Sequence, residues 1–190
     1  MAKKIPFTVD ERHRSLPTEL VDTVVGRRIE TILYRMPAGV QWWDEYRHWG
    51  IHDVDMGVVI SLSNQVGFEI DWAMSGFTEG LTLSVRTKSR VEAGGLIDVV
   101  DVGELPEWQK CLGRAIQEIT CSSFVSNEGA PRTVWAVKFR LEDAVEFAIA
   151  LGEFVEGRPH YAPDSIMVIM DESVGRSYRI TGSDRPAWSA

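Results

Sequence analysis

Between Asp55 and Trp72 apolar residues fall on every second position: Met56, Val58, Ile60 and Leu62, then Phe68, Ile70 and Trp72. Period two places each set on one face of a β-strand, and Ser63-Asn64-Gln65 between them is turn chemistry. The stretch predicts a β-hairpin with one buried face. A second stretch, residues 137–151, repeats it 79 positions later. Across fifteen aligned pairs five are identical: Val58/Val137, Leu62/Leu141, Val66/Val145, Phe68/Phe147 and Ile70/Ile149.

Flanking blocks agree in the same order. Val25-Gly26-Arg27-Arg28-Ile29-Glu30-Thr31-Ile32 resembles Leu112-Gly113-Arg114-Ala115-Ile116-Gln117-Glu118-Ile119, and Leu16-Pro17 and Leu105-Pro106 precede them. Downstream, residues 80–85 parallel residues 165–170. Four ordered blocks favour an internal duplication over convergent strand patterning.

The pattern therefore predicts a mainly β chain with α+β margins: two antiparallel four-stranded units, packed as a sandwich or a barrel-like pair, with short peripheral helices. The expected divisions are an arm (1–15), a first repeat (16–86) carrying an insertion (36–54), a linker (87–104), a second repeat (105–170), and a last strand and tail (171–190). All belong to one compact domain. Strands are expected over 28–35, 81–86, 97–102, 115–124 and 166–170, helices at Leu16–Thr23 and Glu107–Leu112, and a last strand at Tyr178 and Ile180. Residues 73–79 and 153–164 read as loops. Residues 142–151 give conflicting signals. Acidic residues at the start and Gly152 at the end suit a helix; the match to Phe68-Glu69-Ile70 suits a strand. The strand is preferred, because the alternating Trp135, Val137, Phe139 and Leu141 need a partner.

Composition narrows the functions. The 190 residues carry a net charge of −8, with 44% hydrophobic and 25% charged residues. Such a balance suits a folded, soluble, cytoplasmic protein and disfavours nucleic acid or anionic membrane as partners. The first fifteen residues lack the apolar run of a secretory signal, and no stretch approaches the ~20 apolar residues needed to span a bilayer. Cys111 and Cys121 lack Cys-x-x-Cys spacing and read as free, buried thiols.

Candidate chemistry is sparse. His48 and His52 are four apart, but Gly50 between them weakens a helix and the His-Glu-x-x-His pattern is missing, so no metal is expected. Glu69 and Asp71 leave the same strand face, their Cα atoms about 7 Å apart, a spacing seen in carboxylate pairs of glycoside hydrolysis. An exposed polar face is the plainer explanation. No Gly-x-Ser-x-Gly or phosphate loop occurs, so neither catalytic residues nor a cofactor is expected.

What stands out is the insertion, which holds three of the seven tryptophans. Trp42, Trp43, Tyr46, Arg47 and Trp49 are residue types that dominate binding hot spots. Asp44, Glu45, Asp53, Asp55, Glu69 and Asp71 would steer a basic partner towards them. These eleven residues form the expected interaction set. The pattern suits a non-enzymatic protein-binding module, comparable in size and charge to immunity-type or inhibitor proteins, an analogy without a motif behind it. The tryptophans equally suit a plug at one end of the core. The alternative function is a barrel-like β enclosure for a small apolar or aromatic ligand, with hydrolase chemistry at Glu69 and Asp71.

Overall fold

The computed structural model describes residues 4–12, 14–40, 42, 47–63, 65–87 and 96–188. In chain order the elements are α1 (Thr18–Val24), β1 (Ile29–Pro37), β2 (Ile51–Val54), β3 (Gly57–Leu62), β4 (Val66–Ser75), β5 (Thr78–Thr87), β6 (Ile97–Asp101), α2 (Pro106–Gln109), β7 (Ile116–Phe124), β8 (Thr133–Leu141), β9 (Glu146–Leu151), β10 (Glu153–Val155), β11 (Arg158–His160), β12 (Ile166–Ile169) and α3 (Glu172–Ser177). Two five-stranded antiparallel sheets pack together without closing into a barrel. Sheet one runs β5-β4-β3-β1-β6 and sheet two β2-β12-β9-β8-β7.

The two sheets share their pairing register. Val58 faces Ile70 and Ile60 faces Phe68 in sheet one; Val137 faces Ile149 and Phe139 faces Phe147 in sheet two. Ile29 opposes Leu62 as Ile116 opposes Leu141, and both ladders slip immediately afterwards, between Ile29 and Thr31 and between Ile116 and Glu118. Trp72 pairs with Leu81 as Leu151 pairs with Ile166.

The halves also meet reciprocally. Gly26 N donates to Ile116 O (2.7 Å) while Gly113 N donates to Ile29 O (2.8 Å); Ile29 N donates to Arg114 O (3.0 Å) while Ile116 N donates to Arg27 O (2.9 Å). Swapped partners of this kind mark a local two-fold relation, centred on the Arg28–Ala115 bridge. Gly26 and Gly113 both take positive φ, 80° and 78°, as the turn into each strand requires. These coincidences support the proposal of an internal duplication.

Several expectations need correction. Each sheet has five strands instead of four. The fifth strand of sheet two is β2, which leaves the insertion and pairs with β12 in the other half; the fifth strand of sheet one is β6, from the expected linker, on the edge of β1. The expected loop at 73–79 shrinks to a turn at Gly76, because β4 and β5 pair out to Ser75 and Thr78. The expected loop at 153–164 contains the β10–β11 hairpin. Over 142–151 the preferred strand does form, as β9 from Glu146 to Leu151; only its first residues differ, taking a single 3-10 turn at Glu142–Ala144. The second helix is shorter than expected, ending at Gln109.

Tyr178 and Ile180 form no strand. They follow α3 in a tail that buries Tyr178, Ile180, Ala187 and Trp188. Helix and tail cover the outer face of sheet two, where Ala148 and Ala150 lie fully buried. The arm is also tied down. Phe7 N donates to Leu81 O of β5 (2.7 Å) and Phe7 O accepts Val134 N of β8 (2.9 Å), so the arm bridges the two sheets.

The core lies between the sheets. Val58, Ile60, Leu62, Phe68, Ile70, Val137, Phe139, Leu141, Phe147 and Ile149 are all 0% exposed and belong to one cluster. Phe139 and Phe147 stack at 4.7 Å between centroids, and Phe68 meets Phe139 edge-on at 6.0 Å, a geometry that aromatic quadrupoles favour.

Candidate functional site

The eleven residues of the expected interaction set fall into separate environments. Trp42 faces inward: its indole N–H donates to Asp53 O (2.8 Å), and its ring meets Tyr34 at 5.2 Å and His52 at 5.4 Å. Trp49 does the opposite. It closes a 3-10 turn, Arg47–Trp49, and is 49% exposed, with its ring against His48 (5.3 Å) and Phe154 (6.1 Å). Trp43, Asp44, Glu45, Tyr46 and the side chain of Arg47 lie outside the described residues.

Asp53 and Asp55 sit on or just after β2. The Asp53 carboxylate accepts the Phe154 N–H (3.1 and 3.3 Å), which fixes the β10 hairpin beneath Trp49. Asp55 is exposed, and its carbonyl accepts the Trp72 indole N–H (2.8 Å). Gly50 makes the tight turn after Trp49. Its φ is +69°, and a Cβ there would stand 3.0 Å from Asp171 Cβ, so Asp171 lies directly behind the platform. Hydrogen bonds from the Ser173 hydroxyl and Val174 N–H hold the Asp171 carboxyl below the usual range, keeping it anionic. Glu153, beside Phe154, is exposed. Trp49 thus stands near Asp171, through Gly50, and near Asp53, through Phe154.

Glu69 and Asp71 point away from the core, as alternation requires, yet they are only 8% and 2% exposed. Arg35 of β1 lies between them, its Nη1 3.3 Å from Glu69 and its Nη2 3.1 Å from Asp71. Lys4 of the arm reaches Asp71 at 2.7 Å and Arg86 of β5 reaches Glu69 at 3.4 Å. The guanidinium occupies the space that a scissile bond would need between two catalytic carboxylates. The cluster ties the arm, β1 and β5 to β4.

Two histidines spaced for a metal site face different ways: His48 is exposed beside Trp49, whereas His52 is 1% exposed. Among the described residues no group of three or more His, Cys, Asp or Glu could hold a metal ion. Both cysteines are free and buried, and burial pushes the Cys111 thiol up to about 12 and the Cys121 thiol up to about 11. Thiols so raised are poor nucleophiles.

Sequence reasoning missed a buried polar string. Trp108 Nε1 of α2 donates to the Tyr34 hydroxyl (2.8 Å), which lies 2.6 Å from His52 Nδ1. Its one sequence signal was a period-two run, Ile32-Leu33-Tyr34-Arg35-Met36, that put Tyr34 on the apolar face of β1. No helix among the described residues is long and apolar enough to cross a membrane. Comparison with protein-family models, with characterised proteins and with solved structures finds no match for this chain.

Proposed function

We propose that the chain is a non-enzymatic protein-binding module that docks a basic partner on the platform around Trp49. The observation that carries this reading is Trp49 itself. A half-exposed indole is held in place by Phe154, by the turn at Gly50 and by the hydrogen bonds that the Phe154 N–H of β10 donates to Asp53. A rigid aromatic loses little entropy on contact, which is why Trp anchors so many interfaces. Asp171, directly behind Gly50, on a chain of net charge −8, favours a positively charged partner and its fast capture.

In this reading the protein works as immunity-type and inhibitor proteins do, by occupying a partner's surface. Open sheets, and Arg35 between Glu69 and Asp71, argue against an enclosure with hydrolase chemistry at those carboxylates. The test is comparative capture from the source cell, using wild type and Trp49→Ala at low and high salt. The reading expects one basic protein retained by wild type, released by salt, and absent from Trp49→Ala. Equal retention by both proteins would refute the platform.

A further inference from the structure

We infer that the uncovered half of β5 is a docking edge for a second copy of this chain, whose own β5 pairs with it antiparallel through residues 83–87. Backbone direction defines the edge. Glu79 N donates to the Ser126 hydroxyl (3.3 Å), Glu79 O accepts from the Thr133 hydroxyl (2.6 Å) and Leu81 O accepts from Phe7 N (2.7 Å), so these residues turn their backbone groups away from β4. Period two gives the same direction to Leu83, Val85 and Thr87. In the ladder β5 pairs with β4 alone, and among the described residues nothing bonds the outward N–H and C=O groups of those three. Val85 is 37% exposed and the Arg86 side chain 64%.

The other sheet edges are covered or charged. The tail lies along the end of β7, where Asp184 N donates to Ser123 O (2.9 Å) and Ser183 bridges Phe124. On β2 the Trp42 indole donates to Asp53 O (2.8 Å). β6 carries the exposed Asp98 and Asp101, which repel a like strand. Past Leu81, β5 has neither defence. The match between the halves sharpens the contrast. β5 corresponds to β12, since Trp72 faces Leu81 as Leu151 faces Ile166, and the outer edge of β12 holds β2, sent across from the other half. Sheet one receives no such strand among the described residues.

The occupant follows from the residues of the strand, because this edge complements itself. A two-fold axis at Val85 sets Val85 against its counterpart, Leu83 against Thr87 and Ser84 against Arg86, with no like charges opposed. An axis at Arg86 would oppose two guanidinium groups. An axis at Ser84 would bring Thr87 against Leu81, whose oxygen the arm already holds. Axes nearer either end leave too few pairs. Centred on Val85, the pairing joins two five-stranded sheets into one through about six backbone hydrogen bonds. So short an edge buries less than a standard interface, which makes the dimer weak and concentration-dependent. It stands independently of docking at Trp49.

Sedimentation of the full chain from about 10 μM to about 1 mM should show monomer passing into dimer. Over the same range, hydrogen exchange followed by NMR should show the amides of Leu83, Val85 and Thr87 gaining protection while those of β6 do not. Val85→Pro removes the central N–H, which faces solvent in the monomer and is dispensable on an edge strand; the dimer should weaken at least about tenfold. Val85→Lys opposes two ammonium groups and should weaken it at low salt, less so at high salt. If the proline variant fails to fold, the lysine variant and the wild-type exchange decide. A chain still monomeric at about 1 mM, whatever else it binds, would overturn the inference. So would concentration-dependent protection on β6 or around Trp49 in place of β5, or a dimer of unchanged strength in both variants.

Discussion

At the scale of single residues, the charges and rings on sheet one and in the core make opposite demands. Phe68 and Phe147 are fully buried in equivalent positions, so truncating either to Ala removes both transfer energy and packing. Each should cost about 3–5 kcal/mol in denaturant unfolding; a cost under about 1 kcal/mol at both sites would contradict the placement. Arg35 supports two nearly buried carboxylates at once. Arg35→Ala leaves both without their central cation and should destabilise by about 3–5 kcal/mol, whereas Lys4→Ala, at a side chain one-third exposed, should cost about 1 kcal/mol or less. Equal losses in the two variants, measured in the same denaturant series, would mean that Arg35 is not the keystone of the cluster. The thiols make a third residue-scale prediction. With pKa values raised to about 12 and about 11, only roughly one in 10,000 Cys111 and one in 1,000 Cys121 side chains is thiolate at about pH 8. Alkylation followed by mass spectrometry should label neither in the native protein and both in denaturant.

At the scale of elements, legibility in the sequence followed the range of the contacts. The β3–β4 and β8–β9 hairpins are local, and their alternation announces both strand and register. Even the ambiguous 142–151 segment resolves locally: Asp143 and Ala144 take positive φ in a 3-10 turn, which lets acidic residues sit where a helix would start without building one. Strand β2 was illegible for the opposite reason. Its partner, β12, lies more than a hundred residues away, and four residues carry too little pattern to point there. The same holds for Glu69 and Asp71. Their facing was readable from the strand period, but the Arg35 between them belongs to another strand, so their burial was not. The alanines in the matching positions of β9 make sense only once α3 and the tail are seen to cover them. That cover depends on Asp171, which caps α3 by accepting Val174 N–H at 3.0 Å. Because its folded pKa is lowered, its contribution is present above the ordinary aspartate range and lost as pH falls through the lowered value. Asp171→Ala should cost about 1 kcal/mol near neutrality, and in thermal melts the gap to wild type should close as pH falls through the lowered value. A gap that persists in acid would assign the loss to something other than the cap.

At the scale of the whole molecule, two matching sheets meet through reciprocal backbone bonds about Arg28 and Ala115, and the differences between the halves lie at the edges. Sheet two gains a strand from the insertion of the first half, and this crossing carries Trp42 into the core while leaving Trp49 outside. The expected interaction set was therefore partly a set of structural residues. The proposed function rests on a division between two tryptophans of the insertion: Trp42 holding the fold, and Trp49 offered to a partner. Trp42→Ala and Trp49→Ala, each measured for melting temperature and for affinity to the captured basic protein, test it most directly. The account predicts that Trp42→Ala melts markedly lower, as loss of a half-buried indole hydrogen-bonded to Asp53 requires. It predicts that Trp49→Ala melts within a degree or two of wild type yet binds at least about tenfold more weakly, a loss of ~1.4 kcal/mol or more. Lowered melting in Trp49→Ala with binding intact would contradict it.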